Sequence, residues 1–245
     1  MYKLHAFFLL ILWFATISNA QIPKENAIKS KKMKVEIWSD IVCPFCYIGK
    51  RHFESALKSF ENANDVEIIW RSYQLDPEMP KQTNKQNVYE YLASRKGISV
   101  EQSKAMHDNV VKMATNTGLN YNFDKAVVAN SYDAHRLIQL AKSKNLGDAA
   151  EESLFNAYFI NGKDIADHNT LISLGREIGL EENLVKAMLE SDQFSDEVDS
   201  EMYDATQVGV TGVPFFVFDD RFAVSGAQPV SVFLQTLQKA YKSQK

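Results

Sequence analysis

Cysteine is nearly absent from this chain: its 245 residues contain two, Cys43 and Cys46. A secreted fold stapled by disulfides carries more of them, at longer spacing. A bridge between residues three positions apart closes too small a loop to restrict the unfolded chain much. Stabilisation therefore does not account for the pair. Structural zinc takes four ligands, and the five histidines (5, 52, 107, 135 and 168) supply no paired motif, so no metal is expected. Basic charge is also short. Lys and Arg number 27 against 31 Asp and Glu, a formal charge of −4, and no basic stripe points to nucleic acid. The run Lys29-Ser30-Lys31-Lys32-Met33-Lys34 is local and reads as a solvated linker entering the first strand. No internal repeat or low-complexity tract stands out.

Long apolar runs are missing as well. The one candidate lies at the front, where Lys3 and His5 precede an apolar stretch from Ala6 to Ile17, with the small residues Ser18 and Ala20 behind it. The stretch falls short of the roughly 20 residues that span a bilayer. Residues 1–20 are expected to be a cleaved signal peptide, with a transmembrane anchor as the alternative. The expected location is secreted or periplasmic, with no membrane span after cleavage. Removing those residues takes one Lys away, leaving 26 basic against 31 acidic residues, or −5, in about 225 residues. That length buries a sizeable core without disulfides.

Val35–Ser39 reads as a short buried strand and Val66–Tyr73 as a second. Between them Phe45, Ile48, Phe53, Ala56, Leu57 and Phe60 recur at helical spacing. A strand, a helix and a strand in about 40 residues predict a βαβ unit with parallel strands. From about Lys85 to Leu189 helical patterns follow one another, and Gly97, Gly118, Gly147, Gly162 and Gly179 stand at expected C-caps. Another helix is expected over about Ser195 to Gln207. Phe215–Phe218 and Phe222–Val224 flank Asp219-Asp220-Arg221, a hairpin signal, and a last helix runs from about Val230 to Tyr241. The expected architecture is α/β, one sheet domain formed by residues 33–80 and 195–245, with residues 81–194 as an inserted all-helical domain.

Cys43-Pro44-Phe45-Cys46 follows the first strand and opens a helix. Unpaired N–H groups and the helix dipole favour a thiolate at the first cysteine. Pro44 suits a first helical turn, where its missing N–H is no loss. A thiolate attacks a disulfide and a second thiol resolves the mixed disulfide. Cys43 is expected to be the exposed nucleophile and Cys46 the more buried resolving thiol. Thr211-Gly212-Val213-Pro214 precedes a strand. A proline there lacks a ladder N–H; it is either an ordinary turn proline or, as in a thioredoxin-like sheet, a cis proline beside the CxxC, with Val213 offering backbone groups to an extended substrate.

Ser39-Asp40-Ile41-Val42-Cys43-Pro44-Phe45-Cys46-Tyr47-Ile48-Gly49-Lys50 resembles the active-site signature of the DsbA-like family, FrnE branch. Asn130 and Ala134-His135-Arg136-Leu137 match a recurring stretch of that family's helical insert. Gly209 to Phe216 resembles its cis-proline loop, and Ser225-Gly226-Ala227-Gln228-Pro229 its closing motif. The resemblance covers nearly the whole mature chain and implies thiol-disulfide exchange on a thioredoxin fold. Catalytic roles fall on Cys43, Cys46 and Pro214, with support from Pro44, Phe45 and Val213. Phe45 stands where relatives often carry Trp, and it cannot supply the hydrogen bond or charge of the histidine that DsbA itself has between its cysteines.

Glu36, seven positions before Cys43, resembles the buried strand acid of thioredoxins and DsbA, at a spacing one residue longer than in DsbA; it is either a proton acceptor for Cys46 or a partly exposed strand residue. Asp40 reads as a helix cap or a loop ligand. His52 reads as a surface residue. His135 and Arg136 either line a cleft facing Cys43 or pack between helices. Tyr89, Tyr91, Tyr132, Phe155, Tyr158 and Phe159 read as core.

Two activities fit the sequence. One is an enzyme, a disulfide oxidoreductase, whose partners are substrate protein or peptide thiols and a redox recycling partner, with no cofactor beyond the Cys43–Cys46 disulfide. The other is a glutathione-dependent isomerase or transferase of the 2-hydroxychromene-2-carboxylate isomerase or kappa type. Relatives of that kind typically carry Ser at the position of Cys43.

Overall fold

Seven residues from Met33 to Ser39 form β1, and every second side chain at its start, Met33, Val35 and Ile37, is fully buried. That period of two is what a strand packed on a core dictates. The structure is a computed structural model that describes residues 32–81 and 86–244; the leader expected at residues 1–20 lies outside them. Pro44–Lys58 form α1 and Val66–Ser72 form β2. β1 and β2 pair in parallel, with Ile37 opposite Trp70. Phe215–Phe218 (β3) and Phe222–Ser225 (β4) make the expected hairpin, and β3 pairs antiparallel with β1, Ile37 facing Phe216. The sheet order is β2-β1-β3-β4.

Between β2 and β3 the described chain is helical: α2 (Val88–Lys96), α3 (Val100–Thr115), α4 (Tyr132–Lys142), α5 (Gly147–Phe155) running into a π turn (Asn156–Ile160), α6 (His168–Glu177), α7 (Glu182–Leu189) and α8 (Ser195–Val208). Val230–Lys242 close the chain as α9. Gly97, Gly118, Gly162 and Gly179 adopt the left-handed conformation expected of helix-ending glycines. Gly147 does not. It opens α5, and the left-handed residue after α4 is Asn145, whose short amide tolerates φ of 60°. Among the described residues no helix is long and apolar enough to cross a membrane.

Two apolar clusters meet at α1. Phe53 and Ala56 pack with Val35, Ile37, Phe216 and Phe218 of the sheet and with Phe233 and Leu237 of α9. The rings of Phe216 and Phe233 lie 4.6 Å apart, and Phe53 lies 5.6 Å from Phe216. The other side of α1 presents Cys46, Tyr47 and Ile48 to a core drawn from α4 to α7. Tyr47 stacks on Phe155 at 4.8 Å.

Polar groups lock these layers together. Glu201 of α8 is buried against the far face of the sheet and accepts from the Ser72 N–H (2.7 Å), the Ser72 hydroxyl (2.8 Å), Lys142 Nζ (2.6 Å) and Arg71 Nη1 (3.1 Å). Burial alone would raise its carboxyl. Lys142 and the Ser72 hydrogen bonds outweigh that and hold it below its ordinary value. Glu151 of α5 is the reverse case. It too is buried, one carboxyl oxygen has no hydrogen-bond partner, and burial pushes it up to about 8 despite the nearby Lys50.

Glu201→Ala leaves two cations without their shared anion. Because both are about a quarter exposed, the expected cost is about 2–4 kcal/mol, read as a fall in Tm of roughly 5–15 °C. Glu151 acts in the other direction. It ionises near pH 4.5 when unfolded but only near 8 when folded, so its contribution is lost as pH rises between those values. At about 1.36 kcal/mol per unit the upper bound is about 5 kcal/mol. Glu151→Gln is therefore expected to raise Tm at neutral pH and to flatten its decline from acid to neutral pH in thermal melts.

Candidate active site

β1 delivers the chain to a tight turn. The Cys43 N–H donates to the Asp40 carbonyl at 3.0 Å, and Cys43 itself is the N-cap of α1, with Pro44 in the first helical position. The Tyr121 hydroxyl donates to the Pro44 carbonyl at 2.7 Å and holds this first turn from the helical side. On the sheet side, the Cys43 thiol donates to the Val213 carbonyl oxygen at 3.4 Å. The Val213–Pro214 bond is cis. Pro214 in turn accepts from the Gly226 N–H at 2.8 Å, and His52 Nδ1 lies 2.8 Å from the Gln228 carbonyl. The closing motif and the proline loop are thus both fastened to α1.

Both cysteines are free thiols, and the expectation that Cys43 is exposed needs correcting: it is 3 % exposed and Cys46 1 %. The Val213 loop and the helical block cover both sulfurs. Their surroundings differ nonetheless. Cys43 lines a cleft. Cys46 does not, and its thiol is pushed well up, first by burial and then by its hydrogen bond and charge contact with Cys43; the Asp40 N–H and the Ser39 hydroxyl oppose this only in part. Cys46 is held protonated behind Cys43.

The cleft beside Cys43 has a volume of about 560 Å³. Its walls come from the active-site turn, the segment after β2, α2, α3 and the π turn. Phe45, Leu75, Met106 and Met113, four of the large apolar side chains that stay exposed, all line it. Lys96, His107, Asp76 and Asn109 are its polar members. Asp76 accepts from the Tyr91 hydroxyl, and His107 Nδ1 lies 2.8 Å from the Ser103 carbonyl. Tyr91, Tyr158 and Phe159, read as core from the sequence, are cleft walls as well. The sequence reading missed Leu75, Met79, Met106, Met113 and His107. Met106, Val110 and Met113 form a stripe along one face of α3, a pattern that does not distinguish a cleft wall from a core contact.

At three points the structure selects between alternatives that the sequence left open. Glu36 is no acceptor for Cys46: it pairs with Arg71, whose Nε lies 2.8 Å away. Strand alternation explains this, because Val35 and Ile37 face α1 whereas Glu36 and Trp38 face the other side of the sheet. One extra residue of spacing turns the acid away. Asp40 does not cap α1, which has no side-chain cap. Its carboxylate instead accepts from the Val42 N–H (3.3 Å) and the Leu75 N–H (2.8 Å), tying the cysteine turn to the cleft wall. His135 and Arg136 do not line the cleft. Arg136 is consumed by the carbonyls of Gln193, Met188 and Ser191 and by Asp133. His135 is buried behind the turn, with Nε2 3.5 Å from Asp40 Oδ1. Lys50, one turn beyond Cys46, is buried among Glu54, Asp148 and Glu152 and anchors α1 to α5. Among the described residues no three side chains form a metal-binding group.

Known proteins show the same framework. The family model described as DSBA-like thioredoxin domain matches residues 34–238. A Bacillus subtilis relative, the uncharacterized protein YwbO, is 27 % identical over 85 % of this chain and 97 % of its own. The crystal structure of a probable DsbA oxidoreductase from Streptomyces coelicolor is 39 % identical, covers 86 % of this chain and 90 % of that one, and superimposes with a TM-score of 0.83. A 2-hydroxychromene-2-carboxylate isomerase shares the fold at 14 % identity, with a TM-score of 0.64 over 86 % of this chain and 97 % of its own. Matched over most of its length by one family model, and alike in sequence as well as fold to the Streptomyces protein, the chain belongs to the DsbA-like thioredoxin domain family.

Proposed function

We propose that the protein is a thiol-disulfide oxidoreductase acting on protein or peptide thiols through Cys43 and Cys46, with no cofactor beyond that redox-active pair. One observation carries the reading: a thiol on the cleft wall, 3.4 Å from the Val213 carbonyl, is backed by a second, more deeply guarded thiol one helical turn away. In the oxidising direction a substrate thiolate attacks the Cys43 sulfur of the disulfide, Cys46 leaves as thiolate and takes up a proton, and a second substrate thiol releases Cys43. The reducing direction runs these steps backwards, with Cys43 as nucleophile and Cys46 resolving. Val213 gives an extended substrate backbone groups beside the sulfur. The apolar cleft takes the large side chains that flank a cysteine in an unfolded chain.

The glutathione-dependent reading is less well supported. Glutathione brings two carboxylates, whereas the cleft offers one lysine, Lys96, and walls that are mostly apolar. That reading also leaves Cys46 without a task. The leader expected from the sequence at residues 1–20 supports action in a secreted or periplasmic compartment, where substrates acquire disulfides. The place of Cys43 at the N-terminus of α1, without a cation from Phe45, supports a potential between those of thioredoxin and DsbA, roughly −270 to −120 mV. A recycling partner would restore the pair after each turnover.

Cys43→Ser is expected to lower exchange with a cysteine peptide by about 10³-fold or more, and Cys46→Ser to accumulate mixed disulfides through Cys43. Faster reaction of Cys46 than Cys43 with iodoacetamide in the reduced protein would reverse the roles. In a separate measurement, Met113→Lys puts a charge in the cleft. It is expected to raise KM about tenfold, equivalent to about 1.4 kcal/mol, for peptides with Leu or Phe beside the cysteine, and to leave exchange with a Gly-flanked cysteine unchanged. An equal effect on both peptides would sink the assignment of the cleft.

A further inference from the structure

Two side chains of the cleft wall carry a chemistry that the exchange reaction does not use. Met106 is 41 % exposed and Met113 42 %. They stand seven residues apart on α3 with Val110 between them, a spacing that puts all three on one face of the helix. His107 fixes that stretch of α3. Its Nδ1 lies 2.8 Å from the Ser103 carbonyl, and its ring packs edge-on against Tyr89 at 4.9 Å and Phe123 at 4.6 Å. The helix is thus anchored while its two thioethers stay open to the cleft.

The other sulfur-bearing side chains are sheltered. Met33 and Met188 are fully buried, one in each of the two apolar clusters. Met79 is partly buried and packed on the helical core, and Met202 is partly buried on α8. Cys43 and Cys46 keep 3 % and 1 % of their surface. Among the described residues, the methionines that stay exposed are therefore the two on α3, and both line the cleft beside the dithiol. A thioether is apolar and suits an apolar substrate, whereas its sulfoxide is polar and chiral and disrupts such a contact.

We propose that Met106 and Met113 form an oxidation site that sets which substrates the cleft accepts, an inference that rests on the role given to the cleft above. The oxidant is a hydroperoxide. Its O–O bond breaks as a sulfur–oxygen bond forms. The sulfur loses two electrons and keeps one oxygen, and the other leaves as water or an alcohol. The product is a sulfoxide, which can be reduced back to the thioether. Each sulfoxide places a polar group on the wall where a Leu or Phe of the substrate is to be buried, and an unpartnered polar group opposes that burial.

The dithiol responds to the same oxidant in another way. A hydroperoxide converts the Cys43 thiol to a sulfenic acid, the Cys46 thiol displaces water from it, and the pair ends as the Cys43–Cys46 disulfide. The exchange cycle already contains that form. Peroxide therefore leaves the redox pair competent and alters the cleft, so that exchange continues while the preference for cysteines with apolar neighbours is lost. Occupancy works against oxidation, because an apolar residue seated in the cleft covers the same two side chains.

The test treats the disulfide form of the full chain with hydrogen peroxide and follows each methionine by mass spectrometry of its peptides. Met106 and Met113 are expected to gain oxygen about tenfold faster than Met33 and Met188. A Leu- and Phe-flanked peptide with Ser in place of its cysteine should slow oxidation at both positions in proportion to its occupancy. After oxidation, KM for Leu- or Phe-flanked cysteine peptides should rise about tenfold and that for a Gly-flanked cysteine should not change. The double variant Met106→Leu, Met113→Leu should hold its own KM through the same treatment. Oxidation at these two positions no faster than at the buried methionines, no protection by the peptide, or an unchanged KM once both are sulfoxides would each overturn the proposal. A double variant whose KM rises as much as the wild type's would overturn it too. An untreated protein that exchanges with neither cysteine peptide overturns the exchange reading instead, and the protection experiment, which needs no exchange, still decides whether the two methionines face a bound apolar chain.

Discussion

The site depends on how closely α1 approaches the proline loop. A Cβ on Gly49 would stand 2.9 Å from Pro214 Cγ and 3.6 Å from the Ala227 backbone. No side chain fits at that distance. Because position 49 has none, the loop lies flat on the helix, and the Val213 carbonyl reaches the sulfur of Cys43 two turns earlier on α1. Phe53, a turn further on, then fills the space between the sheet and α9. The contact also explains why Cys43 is so little exposed: the loop that serves it also covers it.

Much of this frame is legible in the sequence because it depends on local rules. The βαβ unit follows from apolar periodicity on either side of Pro44. The helices of the middle segment follow from their stop signals, and the capping box of Ser99 and Gln102 sets the start of α3. Gly147 misled because a glycine next to a helix can open it as well as end it. Glu36 is more instructive. A strand fixes the face of a side chain by parity, so a spacing of seven instead of six carries a definite structural meaning.

The cleft was illegible for a different reason. Its walls come from sequence positions between Val42 and Phe159, and no local pattern tells that the stripe on α3 stops short of its partner. Buried polar groups are equally hard to foresee. Lys50 reads as a surface lysine on α1, yet it is buried because Glu54, Asp148 and Glu152 surround its ammonium, and three carboxylates from two helices offset its desolvation. For Arg136 the sequence left a cleft role and a packing role open, and the carbonyls at and just after the end of α7 take up its donors.

Helix α1 belongs to both apolar clusters, Tyr47 to one and Phe53 to the other. A helix shared in this way couples the two cores in unfolding. Loosening the helical segment strips the face that carries Cys46 and Tyr47, and loosening the sheet strips the face that carries Phe53. Neither core can open alone and leave the dithiol in its native setting, so the amide hydrogens of α1 are expected to exchange slowly. The reactive pair thus sits where the fold is most cooperative, and the mobility that substrate entry requires falls to the cleft walls around it.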